Sequence, residues 1–529
     1  MQRHSRLRTR AAIPLAVATL SLVAACGSSD NAGTPNATGA AAAVNTVVKS
    51  HLEAQHILDP VHDVDQCNLN GLSNMYDNLI RTTQDKKLVP GLASSWSSPD
   101  STTFKMSLRQ GVKFQDGTAF NAAAVASAIK RGQTDPTSTL KGDLASISSV
   151  DTPDDHTVVV HLSKPVSGAM VGVFSGMAGL IPSPKAVADM GDQYGVTGAV
   201  GAGPYKTISF SANQSWSVRA WDGYWDAANR KMAGIDFIDM GQTTDTLVPN
   251  QVASGQLDVG AIKDSEIDLV KGKSGVKYIA SPTYQYAEIF LNYGQAPFDN
   301  PKVRQALEYA VNRQELADAL TGGVDKVAWQ PLPAAMNGHD PSLDNRFPYS
   351  ADKAKQLLAD AGYPNGLKID VAEIAFDYYQ RLALAVQGQL AKAGITITLQ
   401  PVSGTAINDV LYNTKKYNAA ITAYAGNADP GRTLRAKFGT AGLNNPSHTT
   451  TPGVDEALAN ADATSDVAKQ GAAYQQISKL VMDNALSVPL YFNSGVTVYS
   501  PNLQNVTYGQ TTCSQGNFTS PPSVYATAG

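Results

Sequence analysis

The chain has 529 residues, with 41 basic and 45 acidic side chains and a formal net charge of −4. No basic block marks a nucleic-acid surface, and beyond the first 25 residues no apolar run reaches the ~18 residues a membrane-spanning helix needs. The length exceeds what one hydrophobic core normally holds, so two or three lobes are expected.

Arg3, Arg6, Arg8 and Arg10, with no acidic neighbour, precede the apolar run 11–25. A basic flank before an apolar run too short to span a bilayer is the pattern of a secretory signal peptide. Leu22-Val23-Ala24-Ala25-Cys26 resembles the bacterial lipobox, in which small residues admit the peptidase and the cysteine is acylated. The expectation is removal of residues 1–25 and a lipid anchor at Cys26, outside the cytoplasm on the cell membrane. Loss of four arginines leaves 37 basic against 45 acidic side chains, a net charge of −8. Residues 26–43, rich in Gly, Ser, Asn, Thr, Pro and Ala, read as a flexible spacer. Cys67 and Cys513 remain; an oxidising compartment permits a disulfide between them, the alternative being two separate buried thiols.

His51, His56 and His62, with Asp59, Asp63 and Asp65, form an ionisable cluster, but spacings of five and six do not align the rings on one helix face. Solvated loop histidines are expected there, and no metal site or cofactor is assigned. Phe104, Met106 and Leu108 alternate with polar residues as in a half-buried strand, and Val112-Lys113-Phe114 is read as its return after the Gln110-Gly111 turn. Strands are expected at 157–162 and 395–399. Asn300 caps a helix with Pro301 at its first position and Val303, Leu307, Ala310 and Val311 on one face. Ser350 caps a second, with Ala354, Leu357, Leu358 and Ala361 as its apolar stripe and Gly362 and Pro364 ending it. Leu382, Val386 and Leu390 mark a third, stopped at Gly394. Strands mixed with helices in this way indicate an α/β fold with mixed sheets.

No nucleophile elbow, zinc-binding HExxH helix or phosphate loop occurs; Gly201-x-Gly203 is followed by Pro204, not by a helix start. Ser350-x-x-Lys353 lacks companion motifs and Ser350 is already a cap, so no catalytic residue is assigned.

Several segments in order resemble the family 5 extracellular solute-binding proteins of ABC importers. They are Tyr76 to Ile80 with Leu88 to Trp96, the run from Phe104 to Gly117, Gly201-Ala202-Gly203-Pro204-Tyr205, and Gly223-Tyr224-Trp225. Pro297 to Arg313 and Ala354 to Asn365 continue the match. The resemblance implies a periplasmic-binding-protein-like fold of two lobes joined by a hinge, with a subdomain inserted in the first lobe. The first lobe would comprise 44–75, 201–284 and 489–529, the inserted subdomain 76–200, and the second lobe 285–488. Both chain ends then share a lobe, which favours pairing of Cys67 with Cys513.

The resemblance also implies a monomer that traps a small solute, a peptide or a peptide-like molecule, between its lobes and delivers it to the permease subunits of the importer. Crossing strands are expected near 281–288 and 485–491. Tyr284, Tyr286, Trp329, Tyr378, Tyr424 and Tyr491 are the candidate aromatic liners, with core packing as the alternative for each. In peptide-binding relatives an Asp in the loop after the strand 418–424 pairs with the peptide ammonium. Counting back from Asp429-Pro430 puts Gly426 at that place. Burying an ammonium without a partner costs several kcal/mol. Either Asp429 or Glu288 replaces the missing acid, or the ligand has no free ammonium and Asn427 and Asn292 offer neutral hydrogen bonds. Blocked or cyclic peptides, oligosaccharides or glycosides, siderophore-like molecules and metal chelates belong to that second class; a secreted lipoprotein hydrolase is the alternative of another kind.

Overall fold

The computed structural model describes residues 46–52, 56–63, 68–83, 87–239, 247–404, 406–427, 429–446, 448–506 and 525–526. Cys26, Cys67, Cys513 and Asp65, and with them the lipid anchor, the signal peptide, the spacer and the disulfide, lie outside these residues.

The local patterns fold largely as their periodicity dictates. Phe104, Met106 and Leu108 are buried on the strand Thr103–Leu108. Its neighbours are Ala93–Asp100 and Thr157–Leu162, both antiparallel, and Ile147–Asp154 completes a four-stranded sheet. The expected return strand at 112–114 does not form. Lys113 bridges only Ala119, and Phe114 N donates to Thr118 O at 2.8 Å, so Asp116-Gly117 turns this segment back on itself. The Gln115 amide then donates to Met75 O, Gly203 O and Tyr205 O at 2.7–3.2 Å, tying the turn to the end of Leu69–Tyr76 and the start of Tyr205–Ser211.

Two of the expected helix starts are set by side-chain caps. Asn300 Oδ1 accepts from Lys302 N at 3.0 Å to open Pro301–Ala310, and Ser350 Oγ accepts from Lys353 N at 3.2 Å to open Ala351–Asp360. Leu382, Val386 and Leu390 form the buried stripe of Asp377–Lys392. That helix carries the chain from Leu367–Ile374 to the parallel strand Ile395–Val402.

An eleven-stranded mixed sheet runs through the molecule. Its order is Ile395–Val402, Leu367–Ile374, Ala419–Ala425, Lys277–Leu291, Val488–Tyr499, Val259–Ile262, Val47–Leu52, Gly234–Asp239, Ser215–Ala220 and Tyr205–Ser211; Lys326–Val327 pairs with Val488–Tyr499 off this path. Two sets of cores flank its middle. One unites Val48, Trp216, Val218 and Ile235 with the four-stranded sheet through Phe104, Met106, Val158 and Val160. The other groups Ile289, Leu307, Leu358, Leu382, Val386 and Ile421 with the helices Pro301–Ala310, Ala351–Asp360 and Asp377–Lys392. Among the described residues no helix is long and apolar enough to cross a membrane.

Candidate functional site

Two long strands, Lys277–Leu291 and Val488–Tyr499, pass between the lobes. They are longer than the sequence suggests, and the second begins three residues later than Ala485, which takes a left-handed backbone with φ 47°. Their antiparallel pairing holds from Lys277↔Tyr499 to Pro282↔Ser494 and resumes only at Tyr286↔Phe492. Opposite Asn493 the ladder is interrupted. Thr283 Oγ1 donates to Asn493 O at 2.9 Å in its place. A bulge of this kind bends and twists a strand pair locally, which is what a hinge requires.

Beside the interruption lies an aromatic cluster of Tyr286, Tyr424 and Phe492, with Tyr286 5.8 Å by ring centroid from each of the other two. Tyr286 is fully buried and Tyr424 nearly so. Under these rings Lys437 pairs with Glu288, whose other oxygen accepts from Ser487 Oγ at 2.6 Å. The Lys437 ammonium lies 4.4 Å from the Tyr424 centroid and 5.5 Å from that of Tyr286. Burial holds its pKa below the ordinary lysine value, while Glu288 opposes that shift. Glu288, 1 % exposed, is therefore already engaged and offers no free carboxylate to an ammonium.

Tyr378 and Tyr491 meet through their hydroxyls at 2.8 Å, and Asn493 Nδ2 donates to Tyr378 Oη at 2.8 Å. Trp329, half-buried, lies under the Arg313 guanidinium at 5.4 Å. Arg313 in turn donates to Pro489 O at 2.7 Å and pairs with Glu308, whose carboxyl burial pushes up to about 7. Five of the six candidate aromatics are thus tied to the crossing strands or their neighbour Ala419–Ala425 by sequence or contact. Trp329 is tied through Arg313. Tyr284 is buried in a core with Leu332, Leu434 and Tyr474.

Gly426 sits where a side chain has no room: its N–H donates to Tyr284 O at 3.2 Å, and a Cβ would lie 2.4 Å from that same oxygen. The absence of an acid here follows from a close backbone approach. Asn427 and Asp429 build the start of Pro430–Phe438. Asp429 N donates to Asn427 Oδ1 at 3.0 Å, and Asp429 Oδ1 accepts from Gly431 N at 2.9 Å. Burial raises the Asp429 pKa, with Arg435 acting against it. Asn292 stands apart from the group. It follows the far end of Lys277–Leu291, its N–H donating to Asn418 O at 2.8 Å, eight residues or roughly 25 Å along the chain from Tyr284.

A seam of contacts joins the start of Pro430–Phe438 to Met170–Ser175 and its neighbours on the side of Asp429. Its carboxylate packs on Gly172, where a Cβ would meet Asp429 Oδ2 at 2.6 Å. Gln470 Nε2 donates to Gly168 O at 3.2 Å, and Arg432 pairs with Asp143 at 3.1 Å. Neither the seam nor Lys437 was visible in the sequence, because the partners are brought together by topology. Of the histidine cluster, His62 places its two ring nitrogens 2.9 and 3.0 Å from Asp59 and Asp135. Among the described residues no group of three or more His, Cys, Asp or Glu is arranged to hold a metal.

The model of the family "Bacterial extracellular solute-binding proteins, family 5 Middle" matches residues 87–445. The chain is 30% identical over 474 residues to the glutathione-binding protein GsiB of Pectobacterium atrosepticum, covering 85% of this chain and 88% of that one. It is similar in structure to HbpA2 of Haemophilus parasuis, with a TM-score of 0.80 and 24% identity over 92% of this chain and 100% of that one. A periplasmic binding protein, DppA of Helicobacter pylori in complex with the peptide STSA, gives a TM-score of 0.71 at 21% identity, covering 92% and 98%.

Proposed function

This chain belongs to the bacterial extracellular solute-binding proteins of family 5, and we propose that it is the lipid-anchored binding component of an ABC importer, capturing a small peptide-like solute between its lobes for delivery to a permease. It is a binding protein, not an enzyme. The observation that carries the reading is the pair of crossing strands, shared by both lobes and interrupted opposite Asn493. A ligand that touches both lobes shifts their relative orientation by its differential affinity, and the permease reads that orientation. The lipobox at Cys26 supports a tether that concentrates the trap near its permease.

For the cargo, the likeness to glutathione-binding relatives supports glutathione or a solute of similar size. A second reading rests on Gly426. Its seat against Tyr284 leaves no acid at the position expected to hold an ammonium, Glu288 is paired with Lys437, and Asp429 caps a helix. That favours a cargo whose amine is blocked, absent or held elsewhere.

A thermal-shift comparison of glutathione, N-acetylglutathione, a free tripeptide and its N-acetylated form separates the two. Ligand at 100 times its dissociation constant stabilises the folded state by roughly 2.7 kcal/mol, which gives a clear shift. Stabilisation by glutathione that acetylation abolishes supports the first reading, and equal stabilisation by both forms supports the second. No shift with any member of the panel would remove peptide-like cargo from the account.

A further inference from the structure

A cleft of about 810 Å³ opens on the four-stranded sheet and shares no lining residue with the aromatic cluster at the crossing strands. It is lined by the end of Thr103–Leu108 and the residues that follow, by the flanking strands, and by Trp225 from the segment between Ser215–Ala220 and Gly234–Asp239. That volume lies in the range of clefts that take small molecules.

Two guanidinium groups lie over the Trp225 ring, Arg109 at 4.2 Å and Arg81 at 4.7 Å from its centroid. The ring is fixed, since its Nε1 donates to Asp77 Oδ2 at 3.0 Å. The two cations differ in how they are neutralised. Arg81 pairs with Asp77 at 2.6 Å and with Asp226 at 2.9 Å. Arg109 uses only its Nε, which donates to Gly91 O at 2.6 Å. Among the described residues neither of its Nη groups has a hydrogen-bond partner, and no carboxylate pairs with it. A guanidinium anchored at Nε and stacked on an indole is held in one orientation, so its remaining N–H groups form a fixed donor fork at the cleft.

The charges around that fork select the occupant. A planar fork matches the two oxygens of a carboxylate or of a phosphate. Asp154 lines the same cleft but is committed to its own turn, where its Oδ1 accepts from His156 N at 2.8 Å. Hydrogen bonds from His156 and Thr157 lower its pKa, so it stays ionised. One unpaired cation balances one negative charge, and the ionised Asp154 disfavours a second. A singly charged carboxylate therefore fits, whereas a phosphate ester with nearly two charges does not.

We propose that this cleft is a second binding site, separate from the crossing strands, in which the Arg109 fork takes the carboxylate of a small organic acid. Ser107 and Gln110, in the same lining, offer neutral hydrogen-bonding groups to the rest of that molecule.

The test is fluorine NMR of the protein carrying 5-fluorotryptophan at its five tryptophans, with Trp225→Phe assigning the resonance at the cleft. Benzoate, benzyl alcohol and inorganic phosphate are titrated at constant ionic strength. Benzoate should move the Trp225 resonance saturably, the uncharged alcohol should leave it in place, and phosphate should bind more weakly than benzoate. Arg109→Lys keeps the charge but loses the fork, and should weaken benzoate binding by about tenfold or more. Gln110→Glu adds an acid at an exposed lining position, and should weaken it without disturbing the fold. A melting curve accompanies each variant, and Gln110→Glu decides if Arg109→Lys does not fold. A Trp225 resonance that benzoate does not move, equal movement by the alcohol, tighter binding of phosphate, or an affinity unchanged in the folded variants overturns the site. Movement of the Trp329 resonance alone also overturns it, since that would place benzoate beside Arg313 at the crossing strands. The outcome does not depend on which solute the lobes capture.

Discussion

Replacing Gly172 with alanine tests the seam at Asp429. The added Cβ would lie 2.6 Å from Asp429 Oδ2, 2.7 Å from its Cβ and 2.8 Å from its Cγ, where ordinary contact is 3.4–4 Å. Rotating the carboxylate does not relieve the overlap, because the Asp429 Cβ is among the clashing atoms. The seam must therefore widen by nearly an ångström, and overpacking of this kind costs about 1–3 kcal/mol. That converts to a roughly 5- to 150-fold loss in the population with the seam intact. The helix Met170–Ser175 should itself gain from the change, since alanine exceeds glycine by about 1 kcal/mol in helix propensity whatever the seam does. The variant is thus expected to keep or slightly raise its melting temperature without ligand while losing affinity for any solute that bridges the lobes. Calorimetric titration with the strongest thermal-shift ligand, beside a melting curve, measures both. Unchanged affinity with a lowered melting temperature would mean that the seam is fixed core packing, and the reasoning would fail.

Lys437→Met should destabilise the fold by about 3–5 kcal/mol, because it strands the Glu288 carboxylate at 1 % exposure. Adding Glu288→Met should recover most of that loss, and urea unfolding of the three proteins checks it; a loss below about 1 kcal/mol would show that Glu288 finds another partner. Gly426→Asp should weaken binding of every solute rather than create a preference for free amines, since its Cβ would meet Tyr284 O at 2.4 Å. Tighter binding of a free tripeptide than of its acetylated form by this variant, measured by calorimetry, would contradict the close-approach explanation.

How far the sequence reached depends on whether a feature is local. Caps and stripes are local, and Asn300, Ser350 and the Leu382–Val386–Leu390 stripe stand in the structure as read. The signature run from Phe104 to Gly117 was legible as a motif but misread as a hairpin. Its strand pairs instead with Ala93–Asp100 and Thr157–Leu162, and periodicity carries no information about partners. The aromatics near the hinge were identified, whereas what stands behind them was not. Lys437 reads as an ordinary cation in the last turn of a helix, and its partner Glu288 is 149 residues away. Arg109 and Trp225 carry no shared pattern, since only folding brings the guanidinium over the indole at 4.2 Å. At Gly426 the sequence showed an absence, and the structure supplies its cause in the carbonyl of Tyr284.

The central claim is that a solute is captured by lobes that move about the crossing strands. A fluorophore pair introduced through unnatural amino acids at Val196 on the first lobe and Leu384 on the second, exposed at 50% and 60%, reports that motion without involving the native cysteines. Titrating the strongest thermal-shift ligand should produce one saturable change in energy transfer, with the same midpoint as binding and a stoichiometry of one. Tight binding that leaves the distance between these positions unchanged would contradict hinged capture.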